Sequence, residues 1–186
     1  RPHEHQPVKP RTRIPRAFTL VELIATMTVI AVASAVAASV ISTAARSFAD
    51  GAATASLHTQ ASSALERISR ELKSCPLDPG SPSPAPHITR VRRNSIDWAS
   101  GYRLRLNGRA LTLTTPSEPP QTIADNVAAF SVRAFDHQNT LLPTNLNANA
   151  ARDVRRIEFI LTLASGAASE TLRVRVAPRA LTVAQP

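Results

Sequence analysis

The sequence predicts an α+β protein: one long N-terminal helix, membrane-embedded in its first half and amphipathic in its second, packed on a C-terminal antiparallel β-sheet. Three observations predict it. From Leu23 to Ala45 there is no charged residue, a run long enough for a helix to cross the roughly 30 Å hydrocarbon core of a bilayer. No proline lies between Phe18 and Cys75, so nothing forces a break in the helix. Beyond Pro86 the pattern changes to alternation of apolar and polar residues, the period of a half-buried strand.

The apolar run follows a basic segment carrying Lys9, Arg11, Arg13 and Arg16. Positive charge stays on the cytoplasmic side, which puts the N-terminal segment inside and the rest of the chain outside. Pro2, Pro7, Pro10 and Pro15 predict that residues 1–17 are extended. Glu22 does not suit a plain anchor. A carboxylate at the bilayer centre costs about 2.5–3.5 kcal/mol, less near the interface, so a partner is expected for it. Residues 46–75 continue the helix. Phe48, Ala52, Leu57, Ala61, Leu65, Ile68 and Leu72 form an apolar stripe, and Glu66, Arg67, Arg70, Glu71 and Lys73 lie opposite. Pro76 ends it.

Residues 76–87 hold Pro76, Pro79, Pro82, Pro84 and Pro86 and read as an exposed linker. Residues 88–186 read as a β-rich head. Strands are expected at 88–92, 95–98, 102–106 and 110–114. Asn107-Gly108 turns the last pair, and Leu104, Leu106, Leu111 and Leu113 face the helix. Pro116, Pro119 and Pro120 mark a loop before a short strand at 121–123. A longer strand runs over 127–136, with Phe130, Val132 and Phe135 inward. Asn-rich residues 141–153 read as a mobile surface loop. The last two strands cover 154–163 and 171–176, with a turn at Ser165-Gly166. Ile157, Phe159 and Leu161 share one face of the first, and Glu158, Ile160 and Thr162 the other.

Apolar residues make up 43% of the chain but aromatics only 4%, which predicts a small core. The net charge is +9; residues 1–17 hold five of the 22 bases and one of the 13 acids, leaving 17 against 12. That excess alone does not define a nucleic-acid binder. Cys75 is the single cysteine, which excludes an intrachain disulfide and reads as a buried small hydrophobe.

The stretch Ala17-Phe18-Thr19-Leu20-Val21-Glu22-Leu23 resembles the prepilin cleavage and methylation motif of type IV pilins and type II secretion pseudopilins. The resemblance implies a cut between Ala17 and Phe18 by a prepilin peptidase/methyltransferase, N-methylation of Phe18, and pairing of Glu22 with the new terminal amine of a neighbouring subunit. The family usually has Gly where Ala17 stands. Carried along the chain, the resemblance gives a cleaved leader (1–17), a transmembrane assembly helix (18–45), its amphipathic continuation (46–75), a linker (76–87) and a head (88–186) in a pilin-like fold. It implies a single-pass inner-membrane precursor that joins other pilin or pseudopilin subunits in a filament. The stretches Ala64–Leu72 and Ile123–Val127, with Phe130 and Asp136, are similar to the pseudopilin J and minor pilin W group.

The remaining candidates are sparse. His58, His87 and His137 have no metal-ligand spacing, and neither a cofactor, a catalytic residue nor a nucleophile–base pair is expected. Asp136 and Asp153 are weak cation candidates, since a hard cation needs several converging oxygens. Arg90, Arg92, Arg93, Arg103 and Arg105, near Trp98 and Tyr102, are a candidate face for single-stranded nucleic acid, through phosphate attraction and base stacking. That would suit a subunit of a DNA-uptake pilus. The bland reading of the same arginines is the solvent face of strands. A tethered extracytoplasmic domain that never assembles is the further alternative.

Overall fold

A computed structural model describes residues 19–81, 84–147 and 149–178. Pro82, the leader Arg1–Ala17, and Phe18 lie outside the described residues. The chain divides into two units, Arg1–Ser47 and Phe48–Pro186. Helix α1 spans Leu20–Lys73.

In the first unit the described residues form a run of α1 with no side chain buried. In the second, α1 buries Leu57, Ala61, Ala64, Leu65, Ile68 and Leu72. This 57-61-64-65-68-72 spacing places them on one helical face. The expected stripe is shorter at its start than the sequence implied. Phe48 is 81% exposed and Ala52 is exposed, because the covering core begins only at Leu57. The helix closes with Cys75 N–H on the Leu72 carbonyl at 3.1 Å, just before Pro76.

The expected single sheet is two antiparallel meanders. The first contains β1 (Ile88–Arg92), β2 (Ser95–Trp98), β3 (Tyr102–Asn107), β4 (Ala110–Thr115) and β5 (Glu118–Ala124), in that spatial order. The second contains β6 (Val127–Phe135), β7 (Arg156–Ser165) and β8 (Ala168–Val176). Asn107 pairs with Ala110, so the turn residues are Gly108 and Arg109, one step beyond the expected pair. Gly108 takes φ +60°, which glycine adopts without a Cβ penalty.

Three expectations about loops are corrected. Pro119 and Pro120 belong to β5. They are tolerated because β5 is an edge strand whose register with β4 shifts between Leu113 and Thr115, leaving neither proline at a paired position. Residues 141–153 are pinned rather than loose. Val91 and Leu146 exchange backbone hydrogen bonds of 3.0 and 2.9 Å, Leu146 and Ala151 are buried, and a 3-10 turn spans Ala150–Asp153. Two apolar side chains in a polar stretch anchor it. The proline-rich segment is not simply exposed either. Leu77 bridges Pro86, Ala85 and Pro86 are buried, and Arg152 Nε lies 2.9 Å from Asp78 Oδ2.

One core serves both sheets and the second part of α1. Ile68 and Leu72 lie with Ile96, Trp98, Leu104, Leu111, Leu113, Ile157, Phe159 and Leu161, all essentially inaccessible. Phe130 stacks on Phe159 at 6.2 Å between centroids. Leu106 is half-buried at the margin. Cys75 is buried as expected, and burial pushes its thiol up to about 11.

Candidate functional site

The site begins at Thr19. Leu23 N–H bonds the Thr19 carbonyl at 3.1 Å, which makes Thr19 the residue capping α1. Its Oγ1 accepts the Glu22 N–H at 3.3 Å, satisfying one of the donors that a helix start leaves free. Glu22 is thus the third residue of the helix, where the positive end of the helix dipole favours a carboxylate. The spacing Thr19-x-x-Glu22 is that of a capping box, a local signal that the charge argument passes over. Glu22 is exposed and makes no ion pair among the described residues. The Ala17–Phe18 bond and the Phe18 amine lie outside them.

Behind Glu22 the helix ties most of its hydroxyls back to its own backbone. Thr26 Oγ1 donates to the Leu23 carbonyl at 2.9 Å, and Thr28 Oγ1 to Ile24 at 2.8 Å. Ser39 and Thr43 donate to Val36 and Ser39 at 2.8 and 2.9 Å. Hydroxyls tied to their own backbone suit an apolar environment, where an unsatisfied polar group is costly. Around them Leu20, Val21, Ile24, Met27, Val29, Ile30, Val32, Val36, Val40 and Ile41 are each more than half exposed. The helix is long and apolar enough to cross a membrane.

Residues 13–38 match the prokaryotic N-terminal methylation motif. No curated protein matches the chain. The motif supports a pilin-type protein, and a long apolar N-terminal helix fits a membrane-anchored one. The rest of the chain lies outside the matched segment.

The other candidates resolve by geometry. Arg90 pairs with Asp97, which pairs with Arg103; Arg92 pairs with Ser95, which pairs with Arg105. Four arginines therefore share the outer face of β1–β3, with Asp97 among them and Arg105 3.5 Å from it. Arg93 lies in the β1–β2 turn, exposed. Trp98 and Tyr102 stack at 5.4 Å, but neighbouring residues of a strand point to opposite faces. The aromatic pair is therefore on the core side, with Trp98 1% exposed. Trp98 is thus withdrawn from the arginine face, while half-buried Tyr102 still borders a pocket with Arg90, Arg103 and Arg105. Asp136 Oδ1 accepts the Thr140 N–H at 2.8 Å, a loop contact. Asp136 and Asp153 join no group of three or more ligating side chains among the described residues. His58 Nδ1 lies 2.9 Å from Glu170 Oε1.

One charged cluster was hidden in the sequence. Glu158 on β7 is 2% exposed. It lies on the outer face of its sheet, as its position in the alternation implies, but long arginines cover it. Arg175 Nη2 reaches Oε1 at 3.0 Å, Arg133 Nη1 lies 3.7 Å from Oε2, and Arg173 Nε 3.8 Å from Oε1. Register brings Arg133, Glu158 and Arg175 into one row. The alternation Arg173-x-Arg175 opposite Glu158 could have indicated it.

Proposed function

We propose that the protein is a minor subunit of a type IV pilus or a type II secretion pseudopilus. The observation that carries this is the methylation motif at residues 13–38, set at the start of a helix whose apolar residues are exposed and whose Glu22 is unpaired among the described residues. Residues 1–17 are the leader, kept on the cytoplasmic side by their positive charge. Residues 18–45 are the membrane and assembly helix, 46–75 its continuation, 76–87 the linker and 88–186 the extracytoplasmic head. Prepilin peptidase cuts between Ala17 and Phe18 and Phe18 is methylated. The head stays in the inner membrane through its helix until the subunit enters a filament.

Glu22 then meets the terminal amine of the next subunit. Either charge alone is costly in apolar surroundings, and the two together satisfy each other. Methylation leaves an amine cationic, so the pair survives it. The pair acts as a register device, since a slipped helix leaves both charges unmatched. The lone cysteine and the proline-rich linker favour a minor subunit. The stretches Ala64–Leu72 and Ile123–Val127 favour the pseudopilin J and minor pilin W group.

Intact-mass analysis of protein from cells, with wild type and Glu22→Ala compared for membrane insertion and filament entry, tests the reading. The expected result is a mature chain starting at methylated Phe18, with Glu22→Ala inserted normally and largely missing from filaments. A chain retaining residues 1–17 would make the protein a tethered extracytoplasmic domain. Normal assembly of Glu22→Ala would remove the pairing.

A further inference from the structure

Among the described residues strand β8 has a strand neighbour, β7, on one side only, and the pairing is regular from Ile157↔Val176 to Ser165↔Ala168. Among the described residues no other backbone–backbone hydrogen bond reaches residues 168–176. Between β8 and the end of α1 runs a groove of about 630 Å³. Leu65, Leu172 and Val174 line it, with Arg70, Lys73 and Arg173 exposed beside them and Glu66 as the one acid. Ser69, in the same lining, buries its hydroxyl without a hydrogen-bond partner. Arg70 and Lys73 make no ion pair among the described residues.

We propose that this groove receives an extended segment of another protein, with apolar and acidic residues in alternation, as an added strand on β8. A free strand edge offers a row of N–H and C=O groups to such a segment. Because side chains alternate, every second residue of the added strand falls beside Leu172 and Val174. The intervening ones fall in the row of Arg173 and Arg175, where carboxylates neutralise the excess charge. A second copy of β8 does not suit the edge. Its exposed positions are Ser169, Thr171, Arg173 and Arg175, so it would bring two more arginines and no carboxylate to that row. The groove lies wholly within residues 48–178, so the inference stands apart from any processing at Ala17–Phe18.

The test uses the full chain in detergent micelles and two labelled peptides, one alternating Val and Glu, the other Val and Lys. Fluorescence anisotropy reads binding, and amide hydrogen exchange reads its location. The Val/Glu peptide is expected to bind and to slow exchange along Thr171–Val176, and the Val/Lys peptide is not. Arg173→Glu should weaken the Val/Glu peptide by about tenfold and favour the Val/Lys peptide. Arg173→Gln, which keeps a polar stem beside Glu158, should weaken it by a smaller factor, so the result stands even if Arg173→Glu disturbs the fold. No binding, binding unaffected by these substitutions, or protection confined to β1–β3 would overturn the proposal. Binding seen only after residues 179–186 are removed would also overturn it, since the chain's own tail would then be the occupant.

Discussion

The residues before Ser47 and those after Phe48 share one helix but meet different fates. In the first stretch Ile24, Ile30 and Ile41 are 56%, 64% and 67% exposed, whereas Ile68 and Leu72 in the second are wholly buried. The carboxylates divide in the same way. Glu158 is covered by three arginines, while Glu22 is exposed and unpaired among the described residues. The second unit completes its own apolar face and its own buried charge. Among the described residues the first completes neither, which suits the proposed membrane and assembly helix.

Paired substitutions put the largest strain on that contrast. Ile68→Ala removes a fully buried side chain, and such truncations cost about 2–5 kcal/mol. Ile30→Ala removes an exposed one and should leave the second unit's stability unchanged. Trp98, the single tryptophan, is buried in the same core as Ile68, so its emission in a denaturant titration of the full chain in micelles reports both. Equal effects of the two substitutions would break the comparison.

The carboxylates sharpen it further. Glu158→Ala leaves Arg133, Arg173 and Arg175 facing one another. Each keeps 40–62% of its side chain exposed and can turn to water, so the loss should be about 1.5–3 kcal/mol, the worth of hydrogen bonds to a charged group. Glu22→Ala should not move the same Trp98 transition. A Glu158→Ala protein as stable as wild type would mean that the arginines gain as much from water as they do from the carboxylate.

Much of this was legible because it is local. The uncharged run fixes α1, and alternation fixes β1, β2, β3, β4 and β6 closely. The division into two sheets was not legible, since it depends on which strands pair over long distances. Single anchoring residues were missed where composition pointed the other way: Leu146 and Ala151 in an Asn-rich stretch, and Pro119 and Pro120 in a strand permitted by its edge position. The burial of Glu158 comes from arginine stems lying along the sheet, which alternation alone does not convey. At the candidate site the opposite holds. Ala17 and Phe18 lie outside the described residues and rest on the sequence alone, and the structure adds the Thr19 cap on Glu22.

Acid reads the smallest of these contrasts, within the second unit. Asp78 accepts the Gly80 N–H at 3.0 Å and pairs with Arg152, tying the proline-rich segment to the 3-10 turn. The Gly80 hydrogen bond, and then Arg152, hold its carboxyl below the usual carboxylate value. A pKa lowered by folding means that the unfolded chain takes up the proton first. The contribution is therefore fully present above about pH 4 and is lost as pH falls through the folded value. Asp78→Asn cannot make the ion pair and has no proton to gain. Its Trp98 transition should start slightly below wild type at neutral pH and converge with it as the solution is acidified below about pH 4. The comparison isolates Asp78 because every other carboxylate titrates in both proteins. A gap that stays constant across that range would show that the tether is held by shape, through the Leu77–Pro86 bridge, and not by charge.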